Sequence, residues 1–250
     1  MQEEIKEFNP LGYKPVGKLL KSLAIPAIIA NLVNALYNVV DQIFIGQGIG
    51  YLGNAATNIA FPIITMCLAI GLTLGIGGAS NFNLELGKGY PEKSKHTAGT
   101  AASTLIIIGI ILCISVRIFL EPLMISFGAT DKILEYSMEY TGITSYGIPF
   151  LLFSIGVNPL VRADGNAKYS MIAIVIGAIL NTILDPLFMF VYNWGIAGAA
   201  WATVISQIIS ASLLLIYFPR FKSVKFSLND FIPQLHYLKR IISLGFASFI

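Results

Sequence analysis

The chain has 250 residues, 56% of them hydrophobic and only 12% charged, with a mean hydropathy of +0.76 and a formal net charge of +3. Soluble domains carry about 25% charged residues. Charge this sparse, gathered between long apolar blocks, excludes a soluble globular domain and leaves a polytopic membrane protein. The basic residues sit between the blocks and not along one face, so nothing suggests a nucleic-acid partner.

Met1 to Lys18 is polar, carrying Glu3, Glu4 and Glu7 beside Lys6, Lys14 and Lys18. No small-residue cleavage site follows an apolar core, so this is not a secretory signal. It reads as a cytoplasmic lead-in, residues 1–18. Six apolar segments follow, at about 20–45, 56–84, 97–119, 136–158, 169–192 and 196–218. Each is long enough to span a hydrocarbon core of about 30 Å, which takes about 20 helical residues. The predicted fold is all-α, a six-helix transmembrane bundle over 19–218. Pro26, Pro62 and Pro149 fall inside the first, second and fourth segments, where neighbouring helices can satisfy the freed carbonyls, so helix kinks are expected. Gly71, Gly75 and Ala79 form a small-xxx-small row, as do Gly195, Ala199 and Thr203, and both read as packing surfaces. The GLTLGIGG stretch lies inside an apolar helix and is not a dinucleotide-binding turn. Cys67 and Cys113 read as packed free thiols.

A polar, basic stretch at 219–240 reads as a cytoplasmic linker, and 241–250 as the start of a seventh helix. Ser22-Leu23-Ala24 aligns with Ser243-Leu244-Gly245 at an offset of 221 residues. That short match suggests a second copy of the six-helix unit beginning here, with a further lobe missing.

With the N-terminus inside, 14 of the 16 Lys and Arg fall in cytoplasmic segments, leaving only Arg117 and Lys132 outside. The positive-inside rule therefore predicts a cytoplasmic N-terminus. Orientation gives depth. Asp41 comes near the outer end of the first helix, Asn181 and Asp185 in the outer half of the fifth, and Thr203 in the outer half of the sixth. Asp41 has no charged neighbour in sequence between Lys21 and Glu85, and Asp185 none between Lys168 and Arg220. Asn181 and Asp185 share one helix face at i, i+4 spacing, and Asn34, Tyr37, Asn38 and Asp41 form a polar stripe of the same kind.

A carboxylate at membrane depth costs several kcal/mol unless paired, hydrated or neutralised, so such residues mark function. Asp41, Asn181, Asp185 and Thr203 offer hard oxygen ligands, which suit H⁺ or Na⁺ and not a soft metal. Two such acids repel when ionised, so binding a cation would relieve them and could repack the first helix. Asn34, Tyr37 and Asn38 would border this site, and no organic cofactor is implied. Other polar groups read more simply. Glu135 and Glu139 are helix-end charges, Tyr192 and Trp194 belt anchors, and His96 and His236 solvated. Glu85 and Arg162 sit near cytoplasmic ends, where they could form gate salt bridges or snorkel.

The residues also resemble a known family. LAIPAIIANLVNALYNVVDQIFIG (Leu23 to Gly46), Phe61-Pro62-Ile63, LGKG (Leu86 to Gly89), FGAT (Phe127 to Thr130) and YGIPF (Tyr146 to Phe150) are followed by RADGNAK (Arg162 to Lys168), LNTILDPLFMF (Leu180 to Phe190) and GIAGAAWATVISQ (Gly195 to Gln207). Together they resemble the multidrug and toxic compound extrusion (MATE) transporters, prokaryotic branch, over roughly 15–250. The resemblance implies one lobe of a twelve-helix, two-lobe transporter in a prokaryotic cytoplasmic membrane. Such proteins export amphipathic, often cationic drugs in exchange for H⁺ or Na⁺. It also implies that the coupling cation sits at Asp41, Asn181, Asp185 and Thr203, bordered by Asn34 and Tyr37. Four alternatives fit less well. A lipid or oligosaccharide flippase would carry several basic residues in its cavity, whereas no Lys or Arg is expected deep in a helix here. An intramembrane aspartyl protease would need Tyr-Asp and Gly-x-Gly-Asp, but the contexts are Val40-Asp41 and Leu184-Asp185. A channel would need a filter loop, and a mitochondrial-type carrier a threefold repeat.

Overall fold

In the computed structural model, which describes residues 15–246, every regular element is helical. In lipid the backbone must satisfy its own hydrogen bonds, and long apolar runs do so as helices. The elements are α1 (Val16–Gly48), α2 (Tyr51–Gly87), α3 (Pro91–Ile118), α4 (Leu120–Ser126), α5 (Asp131–Thr144), α6 (Ile148–Ala163), α7 (Ala167–Pro186), α8 (Gly195–Tyr217) and α9 (Leu235–Gly245). A 3₁₀ turn, Ser145–Gly147, joins α5 to α6, and a π turn, Leu187–Val191, extends α7. These give six units of 25 to 37 residues, each apolar and long enough to cross a membrane. The chain is a multi-pass membrane protein, and its spans agree with the sequence expectation to within a few residues at most ends. Residues 1–14 of the expected lead-in and 247–250 of the expected seventh helix lie outside the described residues.

The prolines act differently from one another. α1 and α2 continue through Pro26 and Pro62. Pro149 is not interior. It stands in the first turn of α6 after the 3₁₀ turn, where its missing N–H costs nothing. The fourth span is therefore two helices in series. Pro159 and Pro186 also fall within helices, and the π turn follows Pro186 directly.

α2 and α6 form the centre, packed on each other and flanked by α3, α8 and α9. Gly75 makes this possible: a Cβ there would come 2.6 Å from the Gly156 carbonyl oxygen, so the two backbones touch. Close approach replaces the hydrophobic drive that is absent between helices in lipid. Phe82, Leu105, Leu152 and Leu160 fill the core around this crossing. α1 is peripheral. It leans mainly on α7, and only Ala30, Asp41 and Ile45 along its 33 residues are buried.

One end of the bundle carries most of the basic residues and is built from the 88–90, 164–166 and 218–234 connections. Here the RADGNAK motif makes a clasp. Asp164, fully buried, accepts hydrogen bonds from the Tyr217 hydroxyl (2.8 Å) and from the backbone N–H groups of Lys222 (2.9 Å) and Ser223 (2.9 Å). Phe218, Phe221, Phe226 and Phe231 pack behind it with ring centroids 5.0 to 5.6 Å apart for five of the pairs. His96 is half-buried, its Nδ1 3.2 Å from the buried Asp230 carboxylate, which corrects its expected solvation.

Helix α9 begins at Leu235, so the last six residues of the expected 219–240 linker are already helical. Ile241 and Gly245 face α2. A methyl group on Gly77 would collide with the Ile241 carbonyl oxygen, and one on Gly245 with that of Thr73. Arg240 closes the contact with a 3.0 Å ion pair to the buried Glu85, which Lys88 also approaches at 3.4 Å. Of the two roles open to Glu85, an ion pair between helices is the observed one.

Candidate functional site

Asp41 lies two turns before the end of α1, and Asp185 at the end of α7 beside the π turn. Thr203 lies two turns into α8, and Tyr140 two and a half turns into α5. All four positions fall at one level, near the end of the bundle opposite the basic one. Both acids are buried, Asp185 at 0% and Asp41 at 7% exposure, and Asn181 is buried with them. The two carboxyl groups are close enough to act on each other electrostatically. Two carboxylate oxygens at that distance repel unless a proton or another cation stands between them.

Asn181 links the helices. Its Nδ2 donates to Asp185 Oδ1 (3.3 Å) and to Thr203 Oγ1 (3.4 Å). On the other side, Gln42 Nε2 donates to Asp41 Oδ2 (3.4 Å), and Thr57 Oγ1 donates to Gln42 Oε1 (3.2 Å), which ties α1 to α2. Asp41 Oδ1, Asp185 Oδ2 and Asn181 Oδ1 are buried and receive no hydrogen bond. Buried acceptors without donors are rare and need an explanation. Three of them, two carrying negative charge, fit a cation bound by hard oxygens. The described residues contain no grouping of three or more His, Cys, Asp or Glu that could hold a metal, so the donor set is two carboxyls with neutral oxygens.

A cavity of about 230 Å³ opens from this level toward the basic end. Its walls are helix stripes at i, i+3/i+4 spacing. Asn34 and Tyr37 come from α1, Ser154, Asn158 and Arg162 from α6, and Ser206 from α8. Asn181 and Thr203 stand at its inner limit.

A family model, MatE, matches residues 26–187. The chain belongs to the MatE family. Among its relatives, the multidrug export protein MepA of Staphylococcus haemolyticus is 25% identical over 240 residues, a match covering 94% of this chain and 52% of MepA. An outward-facing multidrug resistance MATE family transporter of the MOP superfamily superposes with a TM-score of 0.85 at 29% identity, covering 93% of this chain and 52% of that one. A MOP superfamily transporter from Pyrococcus furiosus superposes at 0.87 and 28% identity, covering 99% and 54%. This MatE chain thus spans about half the length of the relatives it matches. Those relatives are named as exporters and transporters, not enzymes.

In this MatE chain, Asp41, Asn181, Asp185 and Thr203 come together as one group. Asn34 and Tyr37 line the adjoining cavity, whereas Asn38 turns to the exposed side of α1 and back-bonds to the Asn34 carbonyl at 2.7 Å. Glu135 and Glu139 are exposed, and Tyr192 and Trp194 are exposed with their rings 5.7 Å apart. Three neighbours of the site escape the sequence argument. Tyr140 is buried and lines a small pocket together with Thr203. It sits at the right depth on the fourth span, and depth alone marks it. Gln42 and Thr57 carry no such signal, being ordinary polar residues until the α1–α2 crossing brings them together. Arg162 also departs from expectation, because it lines the interior cavity where no basic side chain was expected.

Proposed function

We propose that this chain is the N-terminal lobe of a cation-coupled multidrug efflux antiporter, which exports amphipathic, often cationic compounds in exchange for H⁺ or Na⁺ by alternating access. It works in a prokaryotic cytoplasmic membrane with its N-terminus inside, so the basic end of the bundle is cytoplasmic. The site at Asp41, Asn181, Asp185 and Thr203 takes the coupling cation. The observation that carries this reading is the pair of buried carboxyl groups, each with one oxygen that receives no hydrogen bond, beside the equally donorless Asn181 Oδ1.

The coupling device is α1. Little of it is buried, and Asp41 is one of its few anchors. A proton or Na⁺ between Asp41 and Asp185 turns repulsion into attraction and holds α1 against α7. Loss of the cation loosens that contact, and Pro26, which lacks a helix hydrogen bond, is the place where α1 yields. A ligand moves such an equilibrium only by binding its two states unequally, and a carboxyl pair separated in one state meets that condition. The companion lobe supplies the other wall of the drug cleft.

The test is efflux of a cationic dye such as ethidium from cells expressing the full-length transporter. Asp41→Asn and Asp185→Asn each abolish ion-driven efflux at unchanged expression in the membrane. Undiminished efflux in both variants would sink the reading.

A further inference from the structure

The cavity below the cation site has a feature that coupling by the carboxyl pair does not use. Along α6, Ser154, Asn158 and Arg162 follow one another at helical spacing on one wall, while α8 contributes Ser206 and Ser210 opposite. Ser154 Oγ and Ser206 Oγ are buried without a hydrogen-bond partner. Polar atoms in that state take water when the space admits it, and a cavity of about 230 Å³ admits several molecules. The polar wall begins at Thr203 and Asn181 and ends at Arg162, one residue before the end of α6 at the basic end of the bundle. Arg162 is the one charged side chain among the residues lining this cavity, and it is half-buried, with no ion pair or hydrogen bond to any described residue. Structural arginines at helix ends pair or snorkel. This one faces a wet interior instead.

A hydrated path from a cation site to the cytoplasm would dissipate the ion gradient without moving substrate. We propose that Arg162 is the electrostatic plug of that path. Its fixed positive charge at the cytoplasmic end repels the coupling cation, so the cation leaves its site only through the alternating-access cycle. Positive side chains exclude protons and cations from aqueous pores in the same way. The proposal rests on the cation-coupled reading above. A cation passing about 10 Å from that unit charge, with an effective dielectric of about 20, has its occupancy there lowered on the order of tenfold.

The experiment uses the full-length transporter in proteoliposomes without drug, reading Na⁺ entry with ²²Na⁺ and H⁺ entry with a lumenal pH dye. Arg162→Gln raises substrate-free entry of the coupling cation on the order of tenfold and lowers the drug moved per cation. Arg162→Lys, which keeps the charge, stays near the native leak, and adding Asp41→Asn to Arg162→Gln returns the leak to background. Size-exclusion elution and thermal unfolding establish that each variant is folded. A folded Arg162→Gln protein that leaks no more than the native one overturns the plug. So does an Arg162→Lys protein that leaks as much as Arg162→Gln, because bulk and not charge would then be the barrier. If Asp41→Asn alone leaves coupled transport intact, the cation-site reading fails and the plug falls with it. If Asp41→Asn alone abolishes coupling while Arg162→Gln stays tight, only the plug fails.

Discussion

Replacing Asp164 with Ala removes the acceptor that fastens the segment after α8 to the start of α7. Three donors point at this buried carboxylate: the Tyr217 hydroxyl at 2.8 Å and the N–H groups of Lys222 and Ser223, each at 2.9 Å. Asp164 is fully buried, and Tyr217 is 2% exposed, so water does not readily replace the lost acceptor. Each donor left unsatisfied costs about 1–3 kcal/mol, which puts the loss at about 3–5 kcal/mol after some relaxation of the chain around 221–224. A domain of 150–250 residues loses about 2–4 °C in Tm per kcal/mol, so the midpoint falls by about 10 °C. Intrinsic-fluorescence unfolding of the detergent-purified protein measures this, with Asp164→Asn expected midway because one acceptor oxygen survives. A fall of less than about 2 °C for Asp164→Ala would show that the three bonds are exchanged for water at no cost, and the clasp would lose its structural role.

Three further outcomes follow from the geometry. Asn181→Leu keeps the volume but removes one ligand oxygen and the donor to Asp185 and Thr203. At about 1.5–3 kcal/mol for an interaction with a charged partner, the half-maximal concentration of the coupling cation rises about 10- to 100-fold in gradient-driven uptake assays. Gly77→Val drives a side chain into the Ile241 carbonyl of α9. Overpacking of about 1–3 kcal/mol loosens α9 from α2, and proteolysis between 221 and 234 becomes about tenfold faster. Arg240→Ala leaves the buried Glu85 with the 3.4 Å Lys88 contact alone. Proteolysis at the same segment accelerates, and Glu85→Gln in addition restores much of the protection, because a neutral amide does not require the lost partner.

The spans were legible because lipid leaves a chain one local solution, and hydropathy reports it over 20 residues at a time. The level of the cation site was legible for a related reason. Once the loops fix the direction of each helix, position in sequence becomes depth, and Asp41, Asn181, Asp185 and Thr203 fall together. Depth does not give azimuth. Asn38 belongs to the same polar stripe as Tyr37 but faces the exposed side, and Arg162, at a helix end by position, turns into the cavity. Which way a side chain turns is decided by the partner helix, and no local pattern in α6 encodes it. The break at Pro149 was hidden because proline reads alike in a kinked helix and in the first turn of a new one. Helix α9 was hidden by its charge, since Lys239 and Arg240 mark a linker by composition, whereas Leu238, Ile241 and Gly245 place a packed helix there.

The most direct test of the account is cation binding by purified protein, with no transport required. Native protein is titrated with ²²Na⁺ and, in parallel, its proton uptake is followed in unbuffered detergent solution. The account predicts one cation, Na⁺ or H⁺, bound saturably per chain of this lobe, and loss of that binding in both Asp41→Asn and Asp185→Asn with thermal unfolding otherwise intact. Saturable binding that persists unchanged in both variants would place the coupling cation elsewhere and contradict the central claim.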